Sequence, residues 1–376
     1  LKGIVCVICL LVSSWIGAAI PSEEGYKVAT PGYAFSFPRD HGIHPDYKTE
    51  WWYFTGNVAS ESGRDFGYQY TLFRHQIIAP NSTVHPLSPL KARELYLVHF
   101  AVSDITNQVH AKQERLGRPG LGHIRASEER MELVFEDWVL IQSDDTEVIS
   151  LTADTEGSDF GVRFEMTPIK PITFHGDGGV HVKSFDPSQA SYYYSYTRLE
   201  TKGTIRWKDE IIPVQGLSWM DHEFGSSWLS KDEVGWDWAA LQLENGVDIM
   251  LYQIRTGTGE PIPFSEGTVV LPNGETHTLL HEERTFSPTR FWVSTETGGR
   301  YPVEWSVRIP KYEAELSISA RFDEQEMRTT RSTGATYWEG AIKTTGTWMG
   351  KPTAGKGYLE LVGYTGAMTP LSASRD

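Results

Sequence analysis

The stretch Asp65-Phe66-Gly67-Tyr68-Gln69-Tyr70-Thr71-Leu72-Phe73-Arg74 decides how this chain is read. Phe66, Tyr68, Tyr70 and Leu72 recur at every second position, and an extended strand throws alternate side chains to opposite faces. Three rings and a leucine therefore share one face of a strand. Arg74 continues that face, which predicts a guanidinium stacked on an indole and hydrogen-bonded to carbonyls.

Working outward, the same alternation returns in residues 94–103, 131–142, 161–167, 192–199, 203–207 and 211–220. Farther on, 236–243 and 247–255 flank Asn245-Gly246, and 267–271 and 275–280 flank Asn273-Gly274. Asn-Gly between alternating runs marks a two-residue hairpin, because both residues tolerate positive φ. Helical periodicity is scarce, and 35 Gly with 20 Pro punctuate the chain too often for long helices. Many short strands at even spacing predict an all-β protein of the barrel or sandwich kind.

At 376 residues the chain exceeds what one hydrophobic core usually supports, so two units are expected. The polar run Ser226-Ser227-Trp228-Leu229-Ser230-Lys231-Asp232-Glu233 separates two strand-rich halves. It sets the junction between Gly225 and Gly235, with units at about 26–227 and 233–370. Residues 78–90 read as a long loop, in which Asn81-Ser82-Thr83 is a glycosylation acceptor if the source is eukaryotic.

Lys2, the apolar run from Ile4 to Val12 and the small residues Gly17-Ala18-Ala19 form the pattern of a signal peptide over 1–19. The expectation is a soluble, exported protein, periplasmic or secreted, cleaved near Ala19. Both cysteines, Cys6 and Cys9, fall inside that segment, which leaves the remainder without a disulfide or a thiolate. A formal charge of −15 repels phosphate backbones, so nucleic acid is excluded as a partner.

Several catalytic signatures are absent. Gly216-Leu217-Ser218-Trp219-Met220 lacks the second glycine of a nucleophile elbow. The run 350–357, Gly-Lys-Pro-Thr-Ala-Gly-Lys-Gly, has Gly357 where a phosphate loop needs Ser or Thr, and a strand follows where a helix should start. His41 and His44 read as solvated loop histidines, and no histidine pair stands at metal-ligand spacing. Neither a metal nor another cofactor is expected.

Chemistry concentrates instead where polar groups sit among aromatics. The first such segment is residues 44–57, His-Pro-Asp-Tyr-Lys-Thr-Glu-Trp-Trp-Tyr-Phe-Thr-Gly-Asn. The second is residues 216–225, Gly-Leu-Ser-Trp-Met-Asp-His-Glu-Phe-Gly, where Trp219, Asp221 and Glu223 share one strand face and Met220 and His222 the other. Two carboxylates beside an indole invite raised pKa values. The third pairs Gly235-Trp236-Asp237-Trp238 with Met250-Leu251-Tyr252-Gln253, and the fourth pairs Tyr337-Trp338-Glu339-Gly340 with residues 357–364.

These four segments, in this order, resemble the AttH and carotenoid 1,2-hydratase (CrtC-like) family, over about residues 37–364. The resemblance implies two lipocalin-like antiparallel β-barrels in tandem and an apolar small molecule, lipid or isoprenoid, as ligand. In the hydratases it implies an acid that protonates an isolated alkene, leaving a cation that water captures. On this chain the matching positions are Asp221 as proton donor with His222 as its partner, Glu223 beside them, and Tyr252 as a cation-stabilising ring. Phe224 stands where the hydratases carry a Trp, and Gln253 where a carboxylate is expected. Trp51, Trp52, Tyr53, Tyr70, Arg74, Trp219, Trp236, Trp238, Gln242, Tyr337, Trp338 and Glu339 are the candidate ligand-binding residues, although packing explains many of them equally well.

Two functions compete. One is a hydratase-like lyase or a hydrolase; the other is a lipid carrier or an accessory to a membrane transporter, its polar residues serving architecture alone. A carboxylate facing a ligand cavity favours the enzyme, and one buried in the seam between units favours the carrier. Asp221 and His222 are expected together at that seam, near Trp236 or Trp238.

Overall fold

The computed structural model describes residues 25–80, 92–120, 122–143, 145–186, 188–226 and 232–366. The proposed signal peptide and Asn81 lie outside them. In chain order the first sheet contains β1 (Thr49–Ala59), β2 (Asp65–Gln76), β3 (Glu94–Asp104), β4 (Val109–Gly117), β5 (Ile124–Ala126), β6 (Glu132–Phe135) and β7 (Trp138–Gln142). It continues with β8 (Ile149–Ala153), β9 (Phe160–Pro168), β10 (Thr173–Phe174), β11 (Val180–Val182), β12 (Ala190–Trp207) and β13 (Glu210–Gly225). The second sheet holds β14 (Glu233–Leu243), β15 (Asp248–Thr256), β16 (Gly267–Val270), β17 (Thr276–Leu279) and β18 (Thr285–Val293). It is completed by β19 (Arg300–Ile309), β20 (Ala314–Ala320), β21 (Glu326–Thr329), β22 (Ala335–Trp348) and β23 (Lys351–Leu361).

The fold is all-β, as expected, and both sheets are antiparallel. The first runs β4-β3-β2-β1-β13-β12-β9-β8-β7-β6-β5, with β10 and β11 added along β12, and curls into a nearly closed barrel. Arg115 of β4 bridges the remaining gap: it bonds Asp137 at 2.6 Å and lies 3.6 Å over the Trp138 ring. The second sheet runs β17-β16-β15-β14-β23-β22-β20-β19-β18, with β21 on β22. Its first strand begins at Glu233, eight residues after β13 ends at Gly225.

Period-two alternation built these elements. Trp52, Phe54, Phe66, Tyr68, Tyr70 and Leu72 enter the first barrel's core, while Leu241, Ile249, Trp305 and Trp338 fill the second sheet's. Hairpins do form at both Asn-Gly pairs, but not as two-residue turns: only Gly246 (φ +85°) and Gly274 (φ +86°) are left-handed, and Leu243 N–H bonds Val247 O and Leu271 N–H bonds Glu275 O across three-residue loops. Residues 131–142 are not one strand. Glu136 adopts φ 58° and turns the chain between β6 and β7. The run 350–357 falls largely within β23, so no phosphate loop forms there.

A third apolar cluster, with Tyr53, Tyr193 and Trp219 from one sheet and Trp238, Tyr252 and Tyr358 from the other, joins the two units. Close approach is needed there: a Cβ on Gly67 would lie 2.7 Å from that of Ala341. Polar groups lock the same seam. Gln242 donates to the carbonyls of Thr197 at 2.8 Å and Ser218 at 3.0 Å, and Asp248 receives Lys170 at 2.8 Å and Arg198 at 2.6 Å.

Candidate active site

Where β1, β2, β11, β12 and β13 of the first sheet face β14, β15 and β23 of the second, they line a cavity that opens to solvent. Strand register assembles its wall. Tyr53 lies directly opposite Asp221 and Trp51 opposite Glu223 on the β1–β13 ladder. Trp238 lies opposite Tyr252 on one side and Glu360 on the other. Because alternate residues share a face, 51 and 53, 221 and 223, and 236 and 238 all reach the cavity.

Asp221 sits at the centre of this wall, 3% exposed. Its Oδ1 accepts the Trp219 indole N–H at 2.5 Å and the Ser195 hydroxyl. Among the described residues its Oδ2 accepts only Tyr193, at 2.9 Å, whose oxygen in turn accepts Trp238 Nε1 at 3.1 Å. Burial pushes the Asp221 carboxyl up against these donors, and nearby Glu223 adds to the rise, to about 7. Since Oδ1 already receives two donors, Oδ2 is the oxygen available to carry a proton. Ser195 is held from behind by His175 at 2.7 Å, and His175 by Thr268 of the second sheet at 2.8 Å.

Glu223 pairs with Lys183 and accepts the Ser191 hydroxyl. The Lys183 ammonium lies 5.3 Å from the Trp51 ring centre and 5.7 Å from that of Tyr252, so a cation already occupies this aromatic corner. The opposite sheet supplies Glu360, which accepts Trp236 Nε1 at 2.9 Å and lies opposite Glu339 on β22. Burial raises Glu360 to about 7 against the Trp236 N–H, with Glu223 contributing. Burial and then Glu360 raise Glu339 well above the usual carboxylate range, although Tyr53 donates to its Oε1 at 2.6 Å. Its Oε2 has no hydrogen-bond partner among the described residues.

Of the candidate residues, Asp221, Glu223, Tyr252, Trp51, Tyr53, Trp236 and Trp238 line the cavity. Trp219 backs Asp221, and Glu339 stands behind Tyr53. The others lie elsewhere. Trp52 and Tyr70 fill the first barrel and Trp338 the second sheet's core. Gln242 spans the seam outside the cavity, and Tyr337 bonds His99 at 2.8 Å. Arg74 does reach the carbonyls of His44 and Tyr47, both at 3.3 Å, but it meets Glu94 at 2.8 Å and Glu50 at 3.7 Å instead of an indole.

His222 is not the partner of Asp221, because adjacent strand residues point to opposite faces. It lies inside the first barrel, where its Nε2 is 2.9 Å from Glu50 Oε1 and its Nδ1 2.8 Å from the Tyr194 hydroxyl. His44 Nδ1 is 2.6 Å from the same Glu50 oxygen, and its Nε2 is 3.2 Å from Asp40. The loop histidines His41 and His44 are therefore buried and bonded, not solvated. Burial opposes the Glu50 charge, yet His44 and His222 outweigh it and hold the carboxyl far below its ordinary value. His44, Glu50 and His222 also bring three potential ligand atoms within 4.8 Å of one another, a pair of histidines about a carboxylate that sequence spacing did not reveal.

The AttH-like family model matches residues 28–364. The chain belongs to the AttH-like family. An AttH-type protein from Nitrosomonas europaea shares 33% identity and a TM-score of 0.79, covering 89% of this chain and 98% of its own. Kievitone hydratase from Nectria haematococca shares the fold at TM-score 0.66 and 13% identity, covering 92% and 98%. The dehydratase asqC of Emericella nidulans is 23% identical over 220 residues, 56% of this chain and 61% of that protein. This AttH-like chain therefore matches less than two thirds of the length of that curated relative.

His181, Lys183 and Tyr193 are cavity residues that no sequence signal assigned to the site, and Glu360, inside the fourth aromatic segment, reads from sequence as a structural carboxylate. The alternation of 358, 360 and 362 could have placed Glu360 on a face, and residues 192–199 do contain Tyr193. His181 and Lys183 lie on and beside a three-residue strand after the turn-forming Gly176, Gly178 and Gly179, where no periodicity can develop.

Proposed function

We propose that this AttH-like protein adds water to, or removes it from, an isoprenoid or other apolar small molecule. The observation that carries the reading is Asp221: a carboxyl with a pKa near 7, facing an aromatic cavity, with one oxygen available to bear a proton. A general acid works best when its pKa lies near the working pH. In the hydration direction Asp221 gives its proton to one alkene carbon, and the cation forms at the more substituted carbon. The rings of Trp236 and Trp238 face that charge, since the Lys183 ammonium already stands near Trp51 and Tyr252. Water then adds through an oxygen lone pair while Ser195, Trp219 and Tyr193 stabilise the aspartate left behind, and the proton released by that water restores the acid. Dehydration is the same path reversed. The names of kievitone hydratase and of the dehydratase asqC support this reaction class.

The carrier reading keeps one supporting observation, since Asp221 faces the cavity and lies in the seam at once. Incubation in H₂¹⁸O with a panel of isoprenoid alkenes and tertiary alcohols separates the two. Expected are ¹⁸O-labelled alcohols from the protein and almost none from Asp221→Asn. Stoichiometric binding without incorporation across the panel would select the carrier. The apolar run from Ile4 to Val12 supports export with cleavage near Ala19, which N-terminal sequencing of secreted protein checks. An accessory role beside a membrane transporter belongs with the carrier reading.

A further inference from the structure

His181 borders the cavity from β11, opposite Ser191 of β12, and is 1% exposed. Neither of its ring nitrogens has a hydrogen-bond partner among the described residues. The other buried histidines, His41, His44, His75, His99, His175 and His222, each engage at least one nitrogen. A buried donor and acceptor left without partners is costly, and each such group calls for a specific explanation, a bound water or a functional role among them.

Packing holds this ring without using its nitrogens. Tyr193 and Tyr252 meet it edge-on, at centroid separations of 5.6 and 5.3 Å. Burial, reinforced by Lys183 and His175, keeps the imidazole neutral far below its ordinary pKa. A neutral imidazole offers one N–H donor and one acceptor. That pair matches a hydroxyl or a water, which both accepts and donates; a bare hydrocarbon satisfies neither.

We propose that His181 binds the oxygen that the reaction adds or removes, so the cavity favours oxygenated isoprenoids, alcohols above all, over the matched hydrocarbon. The proposal rests on the hydratase reading and deepens it. In the hydration direction, the alkene π pair takes the Asp221 proton to form a C–H bond. A water lone pair forms the C–O bond, and the proton lost by that water passes to the accepting nitrogen of His181. The resulting imidazolium and the Asp221 carboxylate return to their neutral forms when that proton moves back to the carboxylate through solvent. No oxidant, reductant or other co-reactant is needed.

The test uses the full chain and two probes of equal carbon skeleton, geraniol and 2,6-dimethylocta-2,6-diene, titrated against cavity tryptophan fluorescence. The parent protein is expected to prefer the alcohol about tenfold, the scale of one additional hydrogen bond. His181→Phe should abolish that preference, read as the ratio of the two affinities within each variant, while His181→Gln, which keeps a donor and an acceptor, should restore part of it. Retention of the preference by His181→Phe, or equal binding of both probes by the parent, overturns the proposal and leaves the Asp221 reading standing. No binding of either probe by the parent overturns both. Should His181→Phe not fold, ring ¹⁵N shifts of the parent decide: geraniol must move the His181 resonances and the hydrocarbon must not, and unmoved resonances with geraniol bound overturn the proposal.

Discussion

On the inner face of β13, His222 joins Glu50, His44 and Asp40 in a network whose acids and bases answer one another. On the outer face, one residue away, Asp221 meets only neutral donors and shares a cavity with Glu223 and Glu360. Burial is nearly complete on both faces, so burial alone does not separate them. Countercharge does. Imidazoles hold Glu50 ionised, whereas the lack of an adjacent cation at Asp221 lets desolvation raise its carboxyl to about 7. A single strand thus carries an ion network and a carboxyl raised toward neutrality back to back.

The largest expected effect lies on the inner face. Glu50→Gln removes the charge that His44 and His222 share and leaves Glu94 as the remaining described carboxylate beside Arg74. Breaking one partner of a buried charged network typically costs about 3 to 5 kcal/mol. Urea unfolding should register that loss, while turnover per folded molecule stays near the parent's. Normal stability with lost turnover would erase the distinction between the two faces.

Asp221→Asn should do the converse. A general acid typically contributes a factor of about 100 or more, and the amide preserves the shape of the carboxyl. Turnover should fall by at least that factor in the ¹⁸O assay, with the urea midpoint moving little. A variant with full turnover would remove Asp221 from the chemistry.

The faces should also respond to pH with opposite signs. Glu50 is depressed in the folded state, so its stabilisation is present above the ordinary carboxylate pKa and is lost as pH falls through its lower folded value. Asp221 and Glu360 are raised to about 7, so the folded protein holds protons that the unfolded chain gives up, and stability declines as pH rises from about 4 to 7. Turnover in the hydration direction, which needs neutral Asp221, should fall above about pH 7. Paired denaturation and activity profiles of the parent, Glu50→Gln and Asp221→Asn assign each limb. An alkaline stability limb unchanged in Asp221→Asn would mean that its proton is not held by the fold.

The two faces were legible in the sequence because alternation is a property of strands: 219, 221 and 223 separate from 220 and 222 without any coordinates. The pairing of Asp221 with His222 failed on that same rule, since neighbours along a strand are the residues least able to touch. Trp52 and Trp338 failed similarly, each flanked by residues that reach the seam while it enters a core. Glu50 as the partner of His222 depends on the β1–β13 ladder, which joins residues 172 positions apart. His181 and Lys183 arrive through pairing with β12, so nothing local announces them.

The smallest effect tests whether the outer network acts as a unit. Trp238 Nε1 donates to Tyr193, and Tyr193 donates to Asp221 Oδ2, so the indole strengthens a bond that it does not itself make. Trp238→Phe keeps an aromatic ring in the cavity wall and deletes that N–H. Tyr193 then becomes a weaker donor, the aspartate loses some stabilisation, and the proton is held slightly more tightly. The alkaline limb of turnover should move upward by about 0.2 to 0.5 pH unit, the scale of a hydrogen bond losing a fraction of its strength. A purely packing role for Trp238 would lower affinity or stability and leave the limb in place. A limb displaced downward would mean that Tyr193 donates elsewhere and that Asp221 takes its pKa from burial without this relay.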